Sequence, residues 1–479
     1  MKTRFQELTR TSTLVSGAVL LFIGLGFGCG RTENRQAQSE ITNARPSSLG
    51  QAADPLKLVM VPHQGAGRVD EEIRITQGRL RASTGPRRAE MLERLGWLFV
   101  GKARASFDPG YYKLAEQCAL ALESREPEQS SAWLLRGHAL HSQHRFHEAR
   151  LLAEKLVSRR GLSFDFGLLG DVLVDAGNLN AAARAYQSMI DLKPEPLGYA
   201  RVGHIRWLKG DLAGAVEALV MAARGATPRD PESAAWIHTQ LARYLWQAQA
   251  TNEARRSLEL AFEFQKDYAP ALLWHGRMLL ANGNNDEAIR VLRDALRLNP
   301  LPEYYWVLSE GLRAEGREQE AREMEAALAR QAASSDPRTY SLYLATRGEE
   351  PARAVRLAEQ ELQERSDIFT QDALAWALLA DGRVAEAQDR MRRALAEGTQ
   401  DARLFLHATV LAAAAGRMED ARSYLAKTTS LAALLLPSEA AKLRATARII
   451  GEQAANAALQ NTPLQHSPSR SSARVEEGS

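Results

Sequence analysis

From Arg88 to about residue 430, apolar positions recur at helical spacing, and small residues recur among them at a fixed period. Ten alanines form the clearest row: Ala115, Ala149, Ala182, Ala215, Ala254, Ala288, Ala321, Ala354, Ala387 and Ala421, spaced by 34, 33, 33, 39, 34, 33, 33, 33 and 34 residues. Glycines run in phase with them at Gly177, Gly210, Gly283, Gly316, Gly348, Gly382 and Gly416. A third row of small residues lies upstream in each unit, at Gly96, Gly137, Gly170, Gly203, Ala242, Gly276, Ser309 and Ala375. A period of this length marks a repeat architecture and takes precedence over local assignments. Each unit reads as two helices, A and B. The upstream small residue lies in helix A, the glycine ends that helix in a left-handed cap, and the alanine lies in helix B. Small side chains at the crossing let the helix axes approach, where larger ones would force them apart or strain the core.

This pattern resembles the tetratricopeptide repeat, a helix–turn–helix of 34 residues. In the unit starting near Ser163, the signature positions are filled by Phe166, Leu169, Gly170, Leu173, Gly177, Ala182, Tyr186 and Pro194. In the unit starting near Ala269 they are filled by Leu272, Gly276, Leu279, Gly283, Ala288, Leu292, Ala295 and Pro300. The resemblance implies an all-α fold: a right-handed α-solenoid of about ten such units over residues 88–430, with helix A on the concave face. Residues 431–459 read as a capping helix over the last apolar face, which a terminal unit needs. Three departures stand out. The first unit has extra residues around Ser106 to Tyr112, the loop Gly225 to Ser233 lengthens one spacing to 39, and the unit from Tyr340 to Leu362 is degenerate.

In this family, partner-binding residues sit at helix A positions two, five, nine and twelve. Six of the eight tryptophans fall on those slots: Trp97, Trp207, Trp236, Trp246, Trp306 and Trp376. Arg243, Arg277, Arg313 and His204 fall there too. Tryptophan and arginine are enriched at binding hot spots, so the functional expectation is a concave groove for a peptide or helix of another protein. The alternative is that the tryptophans pack between neighbouring helices. Trp133 and Trp274 lie off these slots and read as core.

The flanking segments differ in kind. Residues 1–10 carry Lys2, Arg4 and Arg10 against Glu7, and an apolar run follows from Leu14 to Gly28. That is the layout of a secretory signal, and its ~15 apolar residues are fewer than a spanning helix needs. The run ends in Gly28, Cys29 and Gly30, which resembles the lipobox of bacterial lipoproteins, although Gly26 and Phe27 depart from its usual residues. The resemblance implies a signal over 1–29, lipid on Cys29, and a membrane-anchored chain facing the periplasm or cell exterior. Residues 30–87 read as a flexible linker, with weak helical character from Val69 to Ala82. Residues 460–479 read as a disordered tail.

Composition narrows the chemistry. The formal charge is only +3, from 61 basic and 58 acidic side chains, which does not suggest a nucleic-acid footprint. Two cysteines exclude a disulfide scaffold and a four-cysteine zinc module. With Cys29 assigned to the anchor, Cys118 reads as a buried small hydrophobe. His138, His141, His144 and His147 recur every third residue, and His138 with His141 could share one helix face as metal ligands. No HExxH, phosphate-loop or nucleophile-elbow motif is present. The expectation is a non-catalytic scaffold with no cofactor, binding other envelope proteins in its groove. The alternatives are a cell-wall glycan binder using the tryptophans and, further off, a metal-binding protein using the histidine row.

Overall fold

Close packing at the small-residue rows builds the array. In this computed structural model, which describes residues 54–460, the helices in chain order are α1 (Pro55–Val59), α2 (Arg68–Arg81), α3 (Gly85–Ser106), α4 (Gly110–Glu123), α5 (Ser130–Ser142), α6 (Phe146–Arg159), α7 (Ser163–Asp175) and α8 (Leu179–Leu192). They continue as α9 (Pro196–Leu208), α10 (Leu212–Arg224), α11 (Pro231–Gln247), α12 (Thr251–Phe264), α13 (Ala269–Ala281), α14 (Asn285–Leu298), α15 (Pro302–Ala314) and α16 (Glu318–Ser335). The last are α17 (Pro337–Arg347), α18 (Pro351–Glu364), α19 (Ile368–Ala380), α20 (Val384–Leu395), α21 (Ala402–Ala414), α22 (Met418–Ser430) and, after a 3-10 turn at Ala432–Leu434, α23 (Pro437–Gln460). The ten pairs from α3/α4 to α21/α22 are the ten repeat units of a right-handed α-solenoid.

All ten alanines of the first row are completely buried. A Cβ placed on Gly96 would stand 2.3 Å from Leu135, on Gly170 2.2 Å from the Tyr186 ring, and on Gly276 2.6 Å from Leu292. The A helices therefore approach their neighbours at distances only a bare backbone permits. The turn glycines all take φ between 70° and 82°, and where three units lack one, Phe107 (φ 55°), His144 (φ 61°) and Gln249 (φ 62°) adopt a left-handed backbone.

The linker expected over 30–87 is corrected across 54–87, which is helical and packed. Ile73 and Leu80 of α2 are fully buried against the first unit. The Gln77 amide donates to the Val59 carbonyl at 2.8 Å and the Val61 carbonyl at 2.9 Å, pinning α1 to α2. Asp70 accepts from the Gly67 backbone N–H at 2.9 Å and meets His63 at 2.7 Å and Lys102 at 2.8 Å. These helices cover the N-terminal face of the array as α23 covers the other end, where Leu443 and Ile450 are buried. They carry no small-residue row, so the period gave no sign of them.

The array coils tightly enough that successive turns of the superhelix touch. The Ser366 backbone N–H donates to the Asp175 carbonyl at 3.0 Å, the Thr399 hydroxyl donates to the Leu208 carbonyl, and Lys209 pairs with Glu397 at 2.7 Å. Gln249 reaches the Ser430 carbonyl at 3.3 Å, and Glu310 accepts from the Ser438 backbone N–H at 2.9 Å. Partners across this seam are about five units apart. Near the N-terminal end, Arg104 on the long α3 pairs with Glu232 on the long α11, and the Glu232 carboxylate also accepts from the Tyr268 hydroxyl at 3.1 Å. The two insertions that break the period thus meet each other.

Candidate functional site

Coiling decides what the inward-facing side chains can reach. Of the ten expected groove residues, Trp207, Trp246, Trp306, Trp376, Arg243 and His204 are each more than nine-tenths buried. An open tryptophan-lined trough is therefore replaced by packing: neighbouring units cover Trp246 and Trp376, and the next turn of the coil reaches Trp207. The Trp207 indole N–H donates to Gln247 at 2.8 Å, and its ring stacks on Tyr244 and, across the seam, on Phe369. Trp306 donates to Glu310 at 3.1 Å, and Trp376 stacks on His407 at 4.0 Å and donates to Thr346 at 3.0 Å. His204 hydrogen-bonds the Tyr244 hydroxyl at 2.8 Å, and burial beside Arg243 holds its pKa well below the ordinary histidine value. Trp97, Trp236, Arg277 and Arg313 are partly buried. Arg313 is committed to a paired contact with Glu325, both N···O distances being 2.8 Å.

The structure brings three of the ten together. Arg243, Arg277 and Trp306 line one cleft of about 100 Å³ between the α11–α15 stretch and the opposing α17–α21 stretch. Trp274, Arg338 and Arg403 complete its walls, with Glu303, Asp372 and Asp401 as the carboxylates. Trp274 is thus part of the site rather than simple core. Arginines and tryptophans interleave here. The Arg243 guanidinium lies 4.4 Å from the Trp207 ring centre and 5.4 Å from that of Trp274. Arg277 lies 4.9 Å from Trp274, and Arg403 4.9 Å from Trp306. Each such contact contributes roughly 1–2 kcal/mol when desolvated.

Sequence reasoning missed Arg338 and Arg403, but a signal existed. Glu303, Arg338 and Arg403 are each the second residue of an A helix, at α15, α17 and α21. That position places a long side chain at the mouth shared by consecutive units.

The charges in the cleft are unevenly matched. Asp372 is engaged by His407 Nδ1 at 2.9 Å, and Asp401 caps α21 by accepting the Arg403 and Leu404 backbone N–H groups at 3.0 and 3.1 Å. Arg403 pairs with Glu439, and Arg338 meets Asp367 at 3.3 Å. Arg277 donates to the Leu434 carbonyl at 3.0 Å and reaches Glu303 only at 3.5 Å. Burial pushes the Arg277 pKa below the ordinary arginine value despite Glu303. Arg243 has no hydrogen bond or ion pair with any described residue; its contacts are aromatic.

The histidine row does not converge. His138 is buried with both ring nitrogens unpartnered. His141, one turn on, gives its Nε2 to Asp175 at 2.9 Å. His144 lies in the turn stacked on Phe146, and His147 is exposed. Among the described residues, no group of three histidine, cysteine or carboxylate side chains is placed to hold a metal ion, so the candidates His138 and His141 lack a third ligand. Cys118 is fully buried, and burial pushes its thiol pKa up, as befits an inert core residue. The expected lipid site, Cys29, lies outside the described residues.

Comparison with known proteins bears on the array alone. Residues 168–231, 239–301 and 273–337 match the tetratricopeptide repeat family model, so these units carry tetratricopeptide repeats. No curated protein matches the chain. Similar solved structures include the APC/C hetero-tetramer Cut9–Hcn1, at 14% identity over 80% of this chain and 63% of that one, with a TM-score of 0.39. They also include yeast Tom70, at 13% identity over 82% of this chain and 96% of that one, TM-score 0.35. The human IFIT1 dimer with PPP-AAAA shares 11% identity over 80% of this chain and 96% of that one, TM-score 0.43. The chain spans a little under two thirds of the Cut9–Hcn1 chain it matches.

Proposed function

We propose that the chain is a non-catalytic scaffold of the bacterial cell envelope, tethered to a membrane through Cys29, that holds a partner protein at the central cleft. Repeats of this kind are protein-interaction elements, and this supports the scaffold class. The observation that carries the cleft is the convergence of Arg243, Trp274, Arg277, Trp306, Arg338 and Arg403 from five A helices onto one opening. Arginine and tryptophan are the side chains that concentrate binding energy, and they do so best in a desolvated pocket at the centre of an interface. The tether rests on the basic start, the apolar run and the Gly28–Cys29 junction.

Two measurements test this reading. Replacing Cys29 by Ser is expected to move the exported chain from the membrane fraction to the soluble fraction; an unchanged distribution would remove the lipid tether. Affinity capture from solubilised membranes, with mass spectrometry, is expected to enrich a protein with the wild type that is lost with Arg243→Gln. Equal recovery with both, when circular dichroism shows both folded, would remove the cleft as the partner site.

A further inference from the structure

We propose that the cleft is an oxyanion site, in which Arg243 and Arg277 hold a phosphate or carboxylate group. The inference rests on the reading of the cleft as a binding site and adds the chemistry of what enters it. Arg243 is only 5% exposed and lines the opening, yet no carboxylate or carbonyl of any described residue accepts from it. A guanidinium has five N–H donors and no acceptor. The rings of Trp207 and Trp274 supply electrostatic contact to the cation but no oxygen for those donors. Its donors face the open space of the cleft, where the oxygens of an entering anion can meet them. Arg277 stands beside it across the Trp274 ring. Its Nε is buried without a partner, and its link to Glu303 at 3.5 Å is loose enough to exchange for a better acceptor.

The carboxylates lining the cleft do not fill this role. Asp372 is engaged by His407, Asp401 by the start of α21, and Glu303 by Arg277 itself. The volume agrees in size. About 100 Å³ in an open cleft admits a small oxyanion, free or carried on a larger partner. Arginine also suits the ligand, since its fork matches the two oxygens of a carboxylate or phosphate.

The test uses the full chain and inorganic phosphate as the probe, with chloride holding the ionic strength constant. Calorimetric titration and thermal melting are expected to show one phosphate bound per chain and a rise in melting temperature. Arg243→Gln should weaken binding at least about tenfold, the loss of one charge-assisted hydrogen bond, and Arg243→Lys should retain part of it. The glutamine variant removes an uncompensated charge, so its phosphate-free melting temperature is expected at or above that of the wild type. Absence of binding by the wild type up to about 10 mM, or equal binding by Arg243→Gln, would overturn the proposal.

Competition separates the sources of the anion. If phosphate displaces the captured partner, the oxyanion is a group on that partner; if phosphate binds and the partner stays, the ligand is a free anion. Partner capture that depends on Arg243 without any phosphate binding would sink the oxyanion site and leave the scaffold reading standing. Phosphate binding that depends on Arg243, with capture indifferent to it, would do the reverse.

Discussion

A buried histidine with no partner weakens a protein as the pH falls, and this chain has one at His138. Burial, with the nearby charges of His141, Arg104 and Arg201, holds its pKa well below the ordinary value of 6.5, so it stays neutral in the fold. The unfolded chain takes up a proton near 6.5, so stability rises with pH through that range and is lost below it. His141 has the opposite sign. Burial disfavours its charge, but the Asp175 carboxylate outweighs this and raises its pKa, so its contribution is full in acid and lost as the pH rises through the raised value. Replacing His138 by Leu removes two orphaned nitrogens. The variant is expected to match or exceed wild-type stability at pH 8, and its advantage should grow by about 1.4 kcal/mol per pH unit below 6.5. Denaturant unfolding at pH 5.5 and 7.5 reads this directly; parallel pH profiles for the two proteins would refute it. At this scale the sequence identified the right side chains in part. Counting slots within helix A selected Arg243, Arg277 and Trp306, because the A helices do face inward. Counting could not show that Trp207 would be covered, since part of its burial comes from Phe369, about five units away.

Helices obey the same division between near and far. The A–B pairing was legible throughout because each unit repeats the same local requirement: a completely buried alanine opposite a nearly bare helix. The departures from the period were legible as departures, at Ser106–Tyr112 and Gly225–Ser233, but not their purpose. α3 runs for 22 residues and α11 for 17, against 13 in α5, α7, α9 and α13. The added turns carry Arg104 to Glu232, 128 residues away in sequence. Burial raises the Glu232 pKa although Arg104 opposes this. Removing Glu232 takes away the charge partner of Arg104 and leaves its contact with the Ser233 hydroxyl. Glu232→Leu is expected to destabilise by about 3 kcal/mol, whereas Arg104→Met combined with Glu232→Leu should lose much less. A double-mutant cycle from urea unfolding measures the coupling, and additive losses would show that the two insertions are independent.

Whether the molecule is an open spring or a closed coil depends on pitch, and pitch accumulates from small rotations at every unit. No single repeat encodes it, so the open groove inferred from unit positions gave way to a seam between turns. The sequence still carries a trace of that seam, which becomes readable once the turns are in contact. Among glycines that look alike in the row, Gly210 is pressed against the opposing turn: a Cβ there would stand 2.5 Å from the Gly398 carbonyl oxygen. Gly283 has nearly the same backbone, φ 76° against 82°, but open space around it. Alanine at either position meets the same left-handed strain, of about 1 kcal/mol. Only at Gly210 must the seam also part, because the obstacle is backbone and cannot rotate away. Gly283→Ala should therefore lower stability slightly and leave the shape unchanged. Gly210→Ala should lose more stability, speed hydrogen exchange at residues 397–400, and enlarge the radius of gyration in solution scattering. Equal behaviour of the two variants would mean that contact between turns does not hold the coil closed. A larger radius confined to Gly210→Ala, accompanied by greater exposure of Trp207 and Phe369, would identify the seam as the element that keeps the inner tryptophans covered and the cleft small.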